Sequence, residues 1–196
     1  MYKSIRLFLF VCLLLNTGLS IADDAKLVDL AATKTKDSLI FNMTIEGCFT
    51  KDILEAIMSG VPTTFSSEVI LYQVRHFWLN KKISEINIFQ TIRYDNLKKE
   101  YTITRSWIND EPYVTQSFDE AKRLMTEIKK LKLASLNNLV ENAKYQIRAR
   151  SELSEVVLPF YLHYFFFFVS FWNFETSWHS MDFIYDKSEI INNFNK

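Results

Sequence analysis

The chain has 196 residues, with 23 lysines and arginines against 23 aspartates and glutamates, and aromatic residues make up 15% of it. A balance this even gives no broad electrostatic case for nucleic acid or for an anionic membrane surface as the partner. Two cysteines, three prolines and three glycines leave a fold with few breaks, held together by an apolar core and not by cross-links.

Lys3 and Arg6 make the first residues basic, residues 7–15 are apolar, and Ser20 and Ala22 put small side chains ahead of Asp23. That is the order of a secretory signal peptide over residues 1–22, so cleavage after Ala22 and export across the inner membrane are expected, with a periplasmic or membrane-associated location. The nine-residue apolar run is short of the ~20 residues of a spanning helix, which disfavours a retained anchor. Val11 stands before Cys12 where lipid attachment would need a small residue. Residues 23–196 then form a single domain. Loss of Lys3 and Arg6 leaves 21 bases against 23 acids, a net charge of −2, and one thiol, Cys48. With no neighbour to depress its pKa, Cys48 reads as a small buried residue and not a reactive group.

From residue 27 to 44 the pattern is extended, and Leu39, Phe41, Met43 and Ile45 share one face of a strand. The sequon Asn42-Met43-Thr44 within it reads as incidental. "FTKDILEAIMSGVP" predicts a short helix. Thr50 caps it, Phe49 can pack on Leu54, and Ile53, Leu54, Ile57 and Met58 form the stripe. Gly60 suits a left-handed cap and Pro62 ends the helix.

Three β-rich stretches follow, residues 64–78, 83–94 and 101–107, the first long enough to need a bend or bulge. Ile86, Ile88, Ile92 and Tyr94 share a face with Gln90, and "YDNLKKEY" predicts a hairpin turn. "SFDEAKRLMTEIKKL" predicts a second helix, opened by a Ser117–Glu120 capping box, with Ala121, Leu124, Met125, Ile128 and Leu131 as its stripe. "AKYQIRARSEL" alternates as a strand, with Tyr145, Ile147 and Ala149 inward and Gln146, Arg148 and Arg150 outward. The two arginines solvate that face or clamp a carboxylate or phosphate.

Residues 156–172 carry no formal charge, and nine of these seventeen are aromatic. As a helix they would span ~25 Å, short of the ~30 Å hydrocarbon layer, and Pro159 and His163 interrupt them. Trp and Tyr also favour the membrane interface over its centre. A crossover before the last strand is the better reading, with "FETSWHSMDFIY" supplying that strand. Phe174, Thr176, Trp178 and Ser180 would then face one way, and Glu175, Ser177, His179 and Met181 the other. The candidate contact residues are Tyr164, Phe165, Phe166, Phe167, Phe168, Phe171 and Trp172, which either cap the core or present an apolar patch to lipid or protein.

No catalytic constellation stands out. His76, His163 and His179 are far apart and lack metal-ligand spacing. His179, Ser180 and Asp182 are neighbours on a strand, where adjacent side chains point apart. Asp110 and Glu111 sit in a turn before Pro112 and read as solvated. There is no glycine-rich phosphate loop, so neither a cofactor nor a metal is expected.

The exported N-terminus, "LEAIMSGVPTTFSSEVILY", the "SFDEA" helix and "LPFYLHYFFFFVSFWNFETSW", in that order, resemble the bacterial family catalogued as domain of unknown function 4390. The resemblance covers residues 39–185, and its most specific parts are Gly60-Val61-Pro62 and "SFWNFETSW". It implies bacterial origin and export and assigns no catalytic residue. Genes of this family lie beside those for a membrane sensor kinase of the nitrogen-regulation type, which implies an accessory role in signalling. The expected fold is mainly β (α+β), an antiparallel sandwich-like domain of about seven strands with two short helices and the aromatic crossover. The expected function is non-enzymatic binding of a membrane protein partner, with peripheral membrane contact, through the aromatic segment. The alternative is a carrier of lipid or another apolar ligand lodged between the sheets.

Overall fold

The computed structural model describes residues 25–108, 111–154, 174–186 and 190–193. The expected signal peptide and all seven candidate aromatic residues, 164–168, 171 and 172, lie outside the described residues.

Two antiparallel sheets form a sandwich. The smaller has the order β1 (Lys26–Lys34), β2 (Ser38–Glu46), β7 (Glu127–Ser135). The larger runs β10 (Ile190–Asn193), β9 (His179–Tyr185), β8 (Lys144–Leu153), β3 (Thr63–Gln73), β4 (Lys81–Asp95), β5 (Glu100–Arg105), β6 (Tyr113–Thr115). Two short helices, α1 (Lys51–Met58) and α2 (Phe118–Thr126), lie along the chain between strands. The mainly β, sandwich-like class with two helices is as expected, and the described residues resolve it into ten strands.

Alternation decides which side chains reach the core. In β2, Leu39, Phe41, Met43 and Ile45 are all at most 1% exposed, facing Phe65, Val69 and Leu71 of β3, Ile88 and Ile92 of β4 and Tyr145 and Ile147 of β8 across one contiguous cluster. Each such side chain contributes about 1.5–3 kcal/mol on leaving water. Cys48 joins this core at 1% exposure, with burial pushing its thiol up to about 12, so it is an inert apolar residue as its sequence context suggests.

α1 has both predicted ends. Thr50 Oγ1 accepts the Ile53 N–H at 3.3 Å. At the other end the Gly60 N–H reaches Ile57 O (2.9 Å) and the Val61 N–H reaches Ala56 O (3.1 Å), the crossed pair of a Schellman motif. Gly60 sits at φ +82°, where a side chain would be strained. Of the predicted stripe, Ile53 and Ile57 are buried while Met58 is 46% exposed, and Ala56 takes the third core position.

The second helix is shorter than its spacing predicts, nine residues long. It stops at Thr126, and Glu127–Ser135 continues as strand β7, pairing with β2. Ile128 and Leu131 do lie on one face, but a bulge puts them there. Two residues of β7, Lys129 and Lys130, stand opposite Asn42 alone, with Lys130 at φ +58°. The extra residue turns the even spacing of a strand into the i,i+3 spacing of a helix. Asn42 Oδ1 accepts the Lys130 N–H at 2.8 Å, giving the sequon asparagine a structural task. The capping box is also half formed: Ser117 Oγ accepts the Glu120 N–H (3.3 Å), while the Glu120 carboxylate takes the hydroxyls of Tyr113 (2.8 Å) and Thr115 (2.7 Å). Those two bonds hold the Glu120 carboxyl below the ordinary range.

Candidate functional site

The aromatic segment can be approached through its two roots. The chain leaves the described sheet at Ser154 and re-enters it at Phe174, and both points are at the same end of the large sheet, beside the start of β3. Ser154 N–H donates to Thr64 O (2.8 Å) and Leu153 N–H to Phe174 O (2.9 Å). Two more bonds close the base: Thr176 N–H to Ser151 O (2.8 Å), and Ser151 N–H to Thr176 Oγ1 (2.9 Å). Ser151 is fully buried, and its hydroxyl pairs with that of Ser67 at 2.7 Å. A buried backbone without partners would cost free energy, so this ladder is what lets an irregular segment return into the core. Strands β8 and β9, on either side of the excursion, are antiparallel neighbours.

On the inner side the returning segment is anchored by rings. Phe174 is 6% exposed and meets Phe65 edge-on, with centroids 4.9 Å apart at 90°. Phe65 touches Phe49 (5.5 Å), Phe49 touches Phe118 (6.0 Å), and Phe118 touches Tyr101 (5.7 Å). This file of aromatic rings ties the root of the segment to the loop before α1, the first residue of α2, and β5. Such edge-on pairs add about 0.5–1.5 kcal/mol each beyond area burial.

On the outer side the anchor is charged. Arg150 Nε donates to Glu68 Oε2 (3.0 Å) and Nη1 to Glu175 Oε1 (3.3 Å), while Arg148 and Arg150 lie 4.9 and 5.0 Å from the centre of the Trp178 ring. The hydrogen bond to Glu68 raises the Arg150 pKa further. Of the two outward arginines Arg150 therefore clamps carboxylates, which are the protein's own, while Arg148 stacks on Trp178. An open pocket of ≈ 350 Å³ beside them is lined by Ser66, Glu68, Asn87, Phe89, Arg150 and Glu152. With its guanidinium committed to two acids and Glu152 close by, it offers little to a further anion.

The predicted face of the last segment changes hand part-way. Phe174 and Thr176 point inward as a pair, but Trp178 turns out to the arginines, and Met181, Phe183 and Tyr185 fill the core in place of Ser180. β9 is also not the final strand, since β10 pairs along it.

The groups a hydrolytic triad would use are engaged elsewhere. His179 Nδ1 lies 2.9 Å from Ser177 O. Asp182 is held by Lys144 Nζ (2.7 Å) and Gln146 Nε2 (2.9 Å); burial pushes its carboxyl up, but these partners outweigh it and leave it below the ordinary value. His76 sits at the far end of β3, while His163 and Asp110 lie outside the described residues. Among the described residues there is no group of His, Cys, Asp and Glu able to hold a metal, and no helix is long and apolar enough to cross a membrane.

The family model for the Domain of unknown function (DUF4390) matches residues 22–182, from the expected cleavage point through most of β9. The chain belongs to that family. No curated protein and no solved structure matches it. The DUF4390 match spans both roots of the aromatic segment, the Gly60 cap and the bulged small sheet, and ends within β9, short of β10.

Sequence reasoning missed one surface feature. The stretch 64–78 reads as one strand, yet β3 ends at Gln73, and Phe77, Trp78 and Leu79 stand in the β3–β4 connection at 92%, 81% and 92% exposure. Asn80 next to Lys81 and Lys82 was the available signal of a turn.

Proposed function

We propose that this DUF4390 protein is an exported, non-enzymatic accessory protein that binds a membrane protein through the aromatic residues 164–172. A sensor kinase is the partner its family resemblance suggests. The observation that carries this reading is the double rooting of the segment. Its two roots are joined to each other by three hydrogen bonds and to β3 by a fourth, packed inward on Phe65 and clamped outward by Arg150. A stretch so apolar, offered from so firm a base, suits a fixed binding element.

The sandwich interior favours this over the carrier reading. Phe41, Phe65, Leu71, Tyr145 and Phe183 fill the space between the sheets at 0% exposure, where a lipid would have to lie. The engagement of His179 and Asp182 in structural bonds supports a non-enzymatic role.

The test is recovery of a membrane protein from detergent-solubilised membranes by the tagged chain, with and without Phe165, Phe166, Phe167 and Phe168 changed to Ser. Loss of the partner by a variant that keeps its wild-type circular dichroism and Tm is the expected result. Equal recovery by the folded variant would sink the proposal. Native mass spectrometry of the same preparation addresses the carrier reading, which a stoichiometric co-purifying lipid would favour.

A further inference from the structure

The opposite end of the large sheet carries a second apolar feature, with a different chemistry. β3 and β4 run together to the pair Gln73–Lys81, and the seven residues 74–80 form the tip of that hairpin. The tip has a defined base: Val74 N–H donates to Lys144 O (2.9 Å), and the Arg75 N–H reaches Asn80 Oδ1 across the loop (3.4 Å). From it project Phe77, Trp78 and Leu79, three consecutive large apolar side chains almost wholly in water. Such exposure works against folding and is uncommon in a turn, where polar residues serve equally well.

The surroundings indicate what covers it. Residues 74–82 contain Arg75, Lys81 and Lys82 and no acid, a local charge of +3 on a chain that is neutral as a whole. Lys82 is paired with Glu85, and Lys144 below the tip with Asp182, so Arg75 and Lys81 are the cations left facing outward beside the rings. The neighbouring loop adds Val140 at 57% exposure, next to Glu141, and Asp186 follows β9 at the same margin, where Lys34 Nζ donates to its backbone carbonyl (3.5 Å). The tip is convex. A protein partner would need a matching cavity, whereas the headgroup layer of a bilayer admits a wedge of this kind. Trp and Phe favour that layer, and flanking cations favour its anionic lipids.

We infer that the β3–β4 tip is a membrane-interface anchor, with Phe77, Trp78 and Leu79 entering the headgroup region of an anionic bilayer and Arg75 and Lys81 contacting its phosphates. The tip lies at the opposite end of β3 from the roots of the aromatic segment, because Ser154 and Phe174 lie beside the start of β3 and the tip follows its end. Contact at this tip would set the sandwich on the membrane in a fixed orientation, with its long strands directed away from the surface.

A position-specific probe tests it. In the full chain with Cys12→Ser, an environment-sensitive dye is attached at Leu79→Cys, or at Leu97→Cys as a control. Leu97 is 94% exposed in the β4–β5 turn, toward the rooted end, and Cys48 is too buried to label. With vesicles of phosphatidylcholine and phosphatidylglycerol, the dye at 79 should shift to the blue while the dye at 97 does not. Phe77→Ser with Trp78→Ser should weaken that shift by about tenfold or more per side chain removed. Arg75→Glu with Lys81→Glu, or high salt, should weaken it on phosphatidylglycerol vesicles and not on phosphatidylcholine alone. The shift should survive Ser at positions 165–168, which separates this inference from the proposed function. A dye at 79 that stays in water, an equal shift on uncharged vesicles, or loss of the shift in the 165–168 variant would each overturn it.

Discussion

The two ends of the large sheet treat aromatic side chains in opposite ways. At the start of β3, Phe174 is 6% exposed and enters a file of rings running through Phe65, Phe49 and Phe118 to Tyr101. Beyond the end of β3, Phe77 is 92% exposed and its nearest ring partner is His76, 6.3 Å away and edge-on. The same residue type therefore serves as mortar at one end and as a free surface at the other. What separates them is backbone pairing. Phe174 returns beside Leu153 with its carbonyl already bonded, whereas Phe77 lies past the last rung of the β3–β4 ladder. Substitutions at the rooted end should cost stability, and those at the tip should not.

The sharpest test of that contrast is Phe65→Ala. Phe65 joins the two halves of the ring file at 0% exposure, so its truncation should cost about 3–5 kcal/mol in urea unfolding. A loss below 1 kcal/mol would mean the file is not the anchor. Gly60→Ala comes next. At φ +82°, with an added Cβ only 3.3 Å from Asn96 Nδ2, it should destabilise by about 1–2 kcal/mol through strain alone. Arg150→Ala removes the outer clamp, two charge-assisted bonds and the stack on Trp178, and should cost about 1 kcal/mol, reduced in high salt.

These sites also show which parts of the fold were legible in sequence. β2, β8 and α1 were, because strict alternation or paired caps state their geometry locally. β7 was not. A bulge at Lys129 and Lys130 gives Ile128 and Leu131 helical spacing, and only pairing with Asn42 of a strand some ninety residues earlier reveals it. The hairpin tip was hidden for the opposite reason. Phe77 and Trp78 have the composition of a strand, and their exposure follows from where the β3–β4 ladder stops. The arginine clamp was legible as a type of chemistry, but its acids, Glu68 and Glu175, come from distant segments. The rooted base depends on the hydrogen bonds between Leu153, Ser151, Phe174 and Thr176, which no local pattern specifies.

Acid sharpens the comparison from the tip side. Asp182, bonded to Lys144 next to the tip, has a folded-state pKa below its unfolded value of about 3.9. Its contribution is therefore complete above that value and is lost as pH falls through the lower, folded pKa. Chemical denaturation at pH 6 and pH 3 should show a smaller acid-induced loss in Asp182→Asn than in the wild type. An equal loss would place the acid sensitivity elsewhere. The smallest effect belongs to the tip itself: Phe77, Trp78 and Leu79 all changed to Ser should alter stability by less than about 0.5 kcal/mol, since all three are at least 81% exposed. A larger loss would show that they carry core contacts.

The central claim is that the rooted aromatic segment meets a membrane protein. In-cell photo-crosslinking tests it most directly, with a benzophenone amino acid placed at Phe166 and, as a control, at exposed Leu97 in the β4–β5 turn. The account predicts a discrete crosslink to an integral membrane protein from position 166 and none from position 97. A folded, exported chain that crosslinks at 166 only within itself would contradict it.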